Sequence, residues 1–354
     1  MTPALLFVAA TLAAPVVVSS APLPAWDAKF RRTDGWVGGD GAFTVRTSDT
    51  RTLWLFSDTW VGSVRGGKRK DVSMVNNTVG VQDGESLTFH VAAKNGTPGT
   101  LFVPPDGKGW FWLFAGHHAG GKLHVFLPRL EKTNQPGAFG FKSVDLWLGT
   151  VPNPGDDPTK WTPTYSKVPF AEFGPKGTRS FGSAVLHVGD FVYVYGYAET
   201  PGKPFPSRTL LTARAPANNL ADFTAWRFLA DGEWKADAKA ATPQGDSLGT
   251  EFSVSHLPGL KRYALVYTEN GLSPRVLGRF APSPDGPWSA PVVLHTCPEM
   301  KADNAVFTYA AKAHPHLGGD SELVVSYVVN SFDLAPVIND ATLYWPKFVR
   351  VVMK

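Results

Sequence analysis

The sequence has few of the residues that form cross-links or bind metals, and it lacks the pattern of long helices. Cys297 is the one cysteine among 354 residues, so no disulfide can form within the chain. The cysteine and histidine positions show no zinc-site spacing, and long amphipathic helical patterns are missing. These absences exclude a disulfide scaffold, a zinc module and a helical bundle, so the fold must be stabilised by its core.

Dense clusters of charge are also rare. The formal net charge is +4 and the pI is about 9.0, but the basic residues are scattered. Only Lys68, Arg69 and Lys70 stand together, in a segment that contains glycines. Such a cluster is typical of a solvated loop, although it could also attract an anionic polymer. We therefore predict no nucleic-acid partner.

What the chain does contain indicates an all-β protein. Its hydrophobic fraction is 43%, with 12 tryptophans, and 35 glycines and 30 prolines punctuate the aromatic and valine-rich runs. Short apolar runs separated by Gly and Pro are typical of strands joined by turns. A chain of this length can bury a sizeable core.

The N-terminal segment 1–21 is apolar and ends in small residues, which predicts a signal peptide. A retained membrane anchor is the competing interpretation, but Pro3, Pro15 and the short length disfavour it. We therefore predict a secreted or periplasmic protein with no membrane contact after leader removal. Residues 22–354 are predicted to form one domain that acts as a monomer.

An internal repeat predicts the architecture. Five apolar segments each follow a short turn after another apolar strand, and we align them as the second strand of five units: 53–56, 110–114, 191–195, 263–267 and 323–327. Units that recur at irregular intervals of about 60 to 80 residues are typical of a propeller, in which four-stranded blades surround a central channel. The predicted fold is a five-bladed β-propeller, whose inner strands would direct residues from distant parts of the sequence to one pocket.

The stretch 36–60 carries the strongest functional pattern. Two β-type runs, 42–45 and 53–56, flank a polar turn, and Asp40 and Asp58 lie at the edges of these runs. A hairpin can bring both carboxylates to the same end of one sheet. A turn Asp that satisfies its own backbone is the ordinary interpretation of Asp40 alone.

The second carboxylate and the neighbouring tryptophans favour a functional interpretation. Trp36 and Trp60 flank the pair, and sugar hydrolysis uses two carboxylates beside apolar platforms for a sugar ring. Like charges in one site repel, which raises one pKa so that this group keeps a proton near neutral pH. A polysaccharide is the predicted partner.

Other polar residues lie at predicted inner strands and are candidates for the central pocket. Glu251 begins a strand and is a third catalytic candidate, while Arg179 and His314 are candidates for substrate binding. Of the adjacent amides at 76 and 77, Asn77 is taken as the ligand contact. Each has an ordinary alternative: a strand-edge glutamate, a buried structural histidine, or an edge or bulge asparagine.

The chain from Trp36 to its end resembles the domain-of-unknown-function 4185 proteins. The motifs that carry this resemblance are G-G-D-G (38–41), L-W-L-F-x-D-T-W (53–60), M-V-x-N-T (74–78), A-x-S-P-x-G-P-W-S (281–289), A-H-P (313–315), S-Y-x-x-N (326–330) and Y-x-P-K-F (344–348).

The resemblance implies a five-bladed propeller related to furanosidases and fructan hydrolases. Some members of that family are endo-D-arabinanases, which cut the D-arabinan of mycobacterial cell walls. The family's two leading catalytic aspartates fall on Asp40 and Asp58, and Ser57 stands where the family more often has Gly.

Together these observations predict a glycoside hydrolase acting on a furanose-containing polysaccharide, with D-arabinan the most concrete candidate. One of Asp40 and Asp58 would be the general base and the other the general acid, or Glu251 would supply the acid. A noncatalytic sugar-binding propeller is the alternative. No cofactor is predicted, although Ca²⁺ held by Asp and amide oxygens in the channel is a further alternative.

Overall fold

The computed structural model describes residues 14–135, 139–202, 206–301 and 305–354, and these form a five-bladed β-propeller. The predicted fold class is therefore confirmed. The described chain begins with strand β1 (Val17–Pro22) and helix α1 (Pro24–Phe30), which precede the first blade. Among all the residues that the structure describes, no helix is long and apolar enough to cross a membrane.

Blade 1 is built on one long hairpin with a further hairpin beside it. Its strands are β2 (Asp34–Arg46), β3 (Arg51–Arg65), β4 (Lys68–Val75), β5 (Thr78–Asp83) and β6 (Ser86–His90). A two-stranded hairpin, β7 (Ala92–Lys94) and β8 (Thr97–Gly99), leads into blade 2.

Blades 2 and 3 follow in chain order. Blade 2 contains β9 (Trp110–Phe111), β10 (Gly116–Ala119), β11 (Lys122–Lys132), β12 (Phe141–Val151) and β13 (Thr164–Lys167). Blade 3 contains β14 (Glu172–Gly174), β15 (Gly177–Val188), β16 (Phe191–Thr200), β17 (Ser207–Pro216), β18 (Arg227–Ala230) and β19 (Glu233–Lys235).

Blades 4 and 5 complete the ring. Blade 4 contains β20 (Phe252–Leu257), β21 (Arg262–Thr268), β22 (Arg275–Ala281) and β23 (Val292–Thr296). Blade 5 contains β24 (Val306–Ala313), β25 (Glu322–Ser331), helix α2 (Leu334–Asn339) and β26 (Pro346–Met353). The strand β1 pairs antiparallel with β26, so the two ends of the described chain meet in this blade.

Each blade is packed between two neighbours, which explains why its strands are almost continuously apolar. In β16, Val192 and Val194 join one hydrophobic cluster while Tyr193 and Tyr195 join another. Because successive side chains of a strand point to opposite faces, both faces of this strand are buried. The inner strands β2, β10, β15, β20 and β24 contact one another in that order around the axis.

The structure changes one strand assignment. The segment 110–114 is not the second strand of its blade, because both β9 and β10 pair with β11 and therefore form the inner edge. Between them the backbone departs from regular pairing, with the Trp112 amide donating to the Pro128 carbonyl. The second strand of blade 2 is β11.

The predicted leader overlaps a paired strand. Residues 1–13 lie outside the described part of the chain, but Ala21 pairs with Arg350 in the β1–β26 ladder. A leader that ended at Ala21 would include most of β1. The leader itself stays a prediction.

Candidate functional site

Asp40 lies where the inner strand of blade 1 is least regular. The β2–β3 register shifts three times between Trp36 and Phe43, and Gly38 and Gly41 have φ angles of +138° and +84°. A Cβ at Gly38 would lie 2.6 Å from the Arg69 guanidinium, so only glycine fits there. These bulges place Asp40 in the lining of the central cavity.

The predicted hairpin brings Asp58 to the same place. Gly39 pairs with Thr59 and Gly41 with Phe56, so Asp58 lies in the unpaired stretch opposite Asp40. Both carboxylates line a cavity of about 610 Å³. A second cavity of about 220 Å³ adjoins it and shares Asp40, with Glu251 in its lining.

Asp40 is almost completely buried, with 8% of its surface exposed. The hydroxyls of Tyr309 and Tyr344 donate to its Oδ2 at 2.7 and 3.1 Å. Its Oδ1 is buried and has no hydrogen-bond partner among the described residues. Burial, followed by the negative charges of Asp58 and Glu251, raises the pKa of Asp40 well above its ordinary value.

Asp58 has a different set of partners. Asn76 Nδ2 and Trp112 Nε1 donate to its Oδ1 at 3.0 and 2.9 Å. Burial raises the pKa of Asp58 to about 6, while these two hydrogen bonds act in the opposite direction. Asp58 therefore ionises first, and its charge favours the protonated form of Asp40. This ordering favours a pair in which Asp58 is the carboxylate and Asp40 is the carboxylic acid.

Glu251 is engaged in an ion pair. Lys312 is 1% exposed, and its Nζ lies 2.9 Å from Glu251 Oε2 while it also donates to the carbonyls of Ala310 and Gly41 at 2.7 and 2.5 Å. A carboxylate paired with a buried ammonium is poorly suited to donate a proton. The geometry therefore favours Asp40 over Glu251 as the acid, with Glu251 acting on Asp40 through its charge.

The two tryptophans that the sequence predicts at the substrate site, Trp36 and Trp60, occupy different environments. Trp60 lines the larger cavity, and its Nε1 is buried without a hydrogen-bond partner among the described residues. Trp36 belongs to the core instead, with its ring stacked on Phe89 at 4.2 Å and its Nε1 donating to Thr78 Oγ1. The register shifts that follow Trp36 separate it from the cavity.

Asn77, which the sequence predicts as the ligand contact, is in the lining of neither cavity. Asn77 is fully buried, and its amide bonds the backbone of Phe102 and Phe111, so it joins blade 1 to blade 2. Asn76 is the residue that donates to Asp58. Successive residues point to opposite sides of an extended chain, so only one of the two can reach Asp58.

Arg179 and His314 are not brought to the carboxylates. Arg179 donates to the Ala238 carbonyl at 2.7 Å within blade 3. His314 is fully buried, and its ring nitrogens bond Thr44 Oγ1 and Ser326 Oγ at 3.1 and 2.7 Å. Burial lowers the pKa of His314 well below its ordinary value, as expected for a neutral structural histidine.

The basic cluster is also not a solvated loop. Lys68–Val75 is the strand β4, and Arg69 in it is 1% exposed. Its guanidinium donates to the carbonyls of Val37, Val337 and Leu343 at 2.9, 2.6 and 2.7 Å. Arg69 thus ties blade 1 to the segment around α2, and Val337 of that helix lines the cavity.

Several site residues were missed from the sequence. Tyr309 and Tyr344 donate hydrogen bonds to Asp40, and Trp112 donates one to Asp58. Tyr344 begins one of the motifs quoted above and Trp112 lies in an aromatic run, so both had a signal. Tyr309 stands in an ordinary strand and had none.

Within the ranges that the structure describes, no group of three or more His, Cys, Asp or Glu side chains has an arrangement that could hold a metal ion. The alternative of a channel Ca²⁺ held partly by amide oxygens stays an untested prediction.

Comparisons with known proteins agree with this architecture. A family model described as Domain of unknown function (DUF5005) matches residues 24–353. A candidate hydrolase from Bacteroides ovatus has a similar structure, with a TM-score of 0.73, 20% identity, and coverage of 94% of this chain and 90% of that chain. No curated protein matches the sequence.

Two glycoside hydrolases are among the other similar structures. A GH32 beta-fructofuranosidase from Bombyx mori has a TM-score of 0.50 and 12% identity, covering 94% of this chain and 67% of that chain. A GH43_1 enzyme from Xanthomonas citri complexed with xylotriose has a TM-score of 0.48 and 14% identity, covering 95% and 89%. At these identities the likeness concerns the fold.

Proposed function

We propose that this chain, which belongs to the family described as Domain of unknown function (DUF5005), is a glycoside hydrolase that cleaves a furanose-containing polysaccharide. The proposal rests on its site. The observation that carries the proposal is the pairing of two differently held carboxyl groups, Asp40 and Asp58, in one aromatic-lined cavity. Glycosidic bond hydrolysis needs one carboxyl group that is protonated and one that is ionised.

The cavity also offers polar atoms that a sugar can satisfy. Asp40 Oδ1 and Trp60 Nε1 are buried without partners among the described residues, and both residues line the larger cavity. Buried polar groups are normally hydrogen-bonded, so the open carboxyl oxygen of Asp40 and the open indole N–H of Trp60 fit a ligand that carries oxygen atoms and hydroxyls. Trp112 and Phe141 supply flat apolar surface in the same lining.

The proposed mechanism assigns one proton transfer to each carboxyl group. Asp58, as the carboxylate, accepts a proton from a water molecule that attacks the anomeric carbon. Asp40 gives its proton to the glycosidic oxygen as the bond between that oxygen and the anomeric carbon breaks. The two products together contain the atoms of one water, and the two carboxyl groups end with exchanged protonation states.

The finer assignment is D-arabinan, in a secreted or periplasmic protein that acts as a monomer. It rests on the resemblance to the domain-of-unknown-function 4185 proteins, which stays a prediction beside the DUF5005 match. A fructofuranosidase with the same fold, acting on another furanose, is consistent with this substrate class. The arrangement of Asp40 and Asp58 in one cavity favours catalysis over the alternative of a binding propeller.

Product release from D-arabinan, L-arabinan and fructan tests the proposal. We expect reducing ends from one of the three polymers, and a loss of at least about 100-fold in rate for Asp40→Asn and for Asp58→Asn, since general acids and bases contribute 10² to 10⁴. Asp83→Asn is the matched control, because Asp83 is an exposed residue of the same blade.

Two results would contradict parts of this proposal. Retained activity in either folded variant would remove that residue from the mechanism. Glycan binding without product from any polymer would contradict the hydrolase and support the noncatalytic propeller.

A further inference from the structure

Four large apolar side chains are exposed at the mouth of the larger cavity. Met74, Phe139, Phe332 and Leu334, which we call the apolar rim, have 43, 42, 44 and 60% of their surface exposed. All four belong to the lining that also contains Asp58. Exposed apolar surface beside a pocket marks a binding region more often than an isolated exposed side chain does.

The clustering of these side chains is specific to this mouth. Among the described residues, the other large exposed apolar side chains are four valines, at positions 16, 18, 103 and 293. None of these valines lines either of the two joined cavities. Every exposed Met, Phe and Leu in that set therefore lies at the cavity mouth.

The rim is connected to the proposed acid through a series of packed aromatic rings. Phe332 lies 4.6 Å from Phe307 and 6.1 Å from Phe139, measured between ring centroids. Phe307 in turn lies 5.4 Å from Tyr309, which donates to Asp40. A continuous aromatic surface thus runs from the rim to the proposed acid.

The other side of the rim is held in place by the buried arginine. Leu334 is the first residue of α2, and Arg69 bonds the Val337 carbonyl within the same helix. A rim residue on an anchored helix is positioned before a ligand binds, which limits the ordering cost of binding.

The charges at this cavity disfavour an anionic ligand. The ionisable acidic residues in its lining are Asp40, Asp58 and Asp333, and the described part of the lining contains no Lys or Arg. A carboxylate, sulfate or phosphate on the substrate would meet like charges here. An uncharged group fits better.

From this arrangement we propose that the substrate carries an uncharged alkyl or acyl substituent next to the scissile bond, and that the rim binds this substituent. Flat aromatic rings alone would serve a sugar ring, but Met74 and Leu334 are aliphatic and add surface that fits methylene groups. The inference rests on the proposed hydrolase function for its catalytic consequence, whereas binding at the rim is independent of turnover.

The test compares methyl and octyl α-D-arabinofuranosides. Calorimetry with the full-length Asp58→Asn variant measures binding of both, and the wild type is assayed for hydrolysis of both. We expect the octyl compound to bind at least about tenfold more tightly, because each buried methylene adds to affinity. Equal affinities for the two glycosides would overturn the proposal.

Rim variants locate the effect. Leu334→Ser and Phe332→Ser, each made in the Asp58→Asn background, should reduce the octyl preference by about threefold or more, since apolar contact area is lost. Val103→Ser is the matched control, because Val103 is 51% exposed and lies outside both cavities. A preference that survives both rim changes, or that falls equally in the control, would contradict a role for the rim.

Two further outcomes separate the hypotheses. An octyl preference without hydrolysis of either compound or of any polymer would leave the rim standing and refute the hydrolase. Rim-dependent binding to neutral phosphatidylcholine vesicles, with no octyl preference, would show a membrane-docking surface and overturn the substrate assignment.

Discussion

Asp40 and Asp58 have the same side chain but different partners, and this difference defines their proposed roles. Two tyrosine hydroxyls hold Asp40, and an indole and an amide hold Asp58. Burial raises both pKa values, but Asp40 also experiences the charges of two nearby carboxylates. The two carboxyl groups of this hairpin are therefore graded in proton affinity, and Asp40 holds its proton more strongly than Asp58 does.

The pH dependence of activity follows from this grading. Asp58 must be ionised, so kcat/KM should rise as the pH increases through about 6, which is the pKa of Asp58. Asp40 must be protonated, and since its pKa is raised well above its ordinary value, activity should fall only at higher pH.

Removing the indole N–H of Trp112 tests whether the ionisation of Asp58 determines the acidic limb of the pH profile, where activity rises with pH. Trp112→Phe removes a hydrogen bond that lowers the pKa of Asp58, so the acidic limb of the kcat/KM profile should move to higher pH. Trp110→Phe is the control, because its Nε1 has no hydrogen-bond partner among the described residues. An acidic limb that stays in place in Trp112→Phe would assign it to another group.

The local sequence predicts that the two carboxylates lie close together, but it does not predict their hydrogen-bond partners. Asp40 and Asp58 belong to one hairpin, so turn and strand signals brought them together. Tyr309 and Tyr344 reach Asp40 across 269 and 304 residues, and no local pattern reports contacts at that separation. The register shifts near Gly38 also change which face each residue occupies, so alternation could not separate Trp36 from Trp60.

At the scale of elements, the strand β4 and the helix α2 form one wall of the site. Arg69→Met should leave three buried carbonyls without a donor, at a cost of about 1 to 3 kcal/mol each. We expect a lower unfolding midpoint and a KM that rises more than kcat falls, because α2 lines the cavity but does not carry the reacting groups.

Thermal unfolding and steady-state kinetics measure these effects. Lys70→Met is the matched control, since Lys70 is an exposed cation in the same strand. An Arg69→Met variant as stable as the control would show that these carbonyls find other partners.

Strand prediction failed where two apolar runs were equally strong. The segment 110–114 has the composition of a central strand, yet it forms an irregular inner edge because β9 and β10 both pair with β11. Amino-acid composition indicates whether a strand is buried. In a propeller both the inner and the second strands of a blade are buried, so composition does not predict the order in which the strands pair.

At the scale of the whole molecule, the propeller ring is closed by a strand from the other end of the chain. β1 pairs with β26 over residues 17–22, and Val349 and Val351 of β26 are buried beside it. A chain that starts at Leu23 should unfold at a temperature lower by several degrees or more, because β26 would become an exposed edge.

Substitutions within β1 provide the comparison. Ser19 and Ser20 are exposed, so changing both to threonine should leave the unfolding temperature within about 2 °C. An unchanged midpoint in the truncated chain would mean that β1 does not contribute to closing the ring.

The central claim is that the Asp40–Asp58 pair adds water across a glycosidic bond. The most direct measurement is mass spectrometry of an oligo-D-arabinofuranoside incubated briefly with the wild type in H₂¹⁸O, with preformed products in the same water as a control for exchange. Hydrolysis predicts shorter products in which each new reducing end carries one ¹⁸O, and predicts intact starting material with Asp58→Asn. Intact oligosaccharide with the wild type, or products without ¹⁸O, would contradict the account.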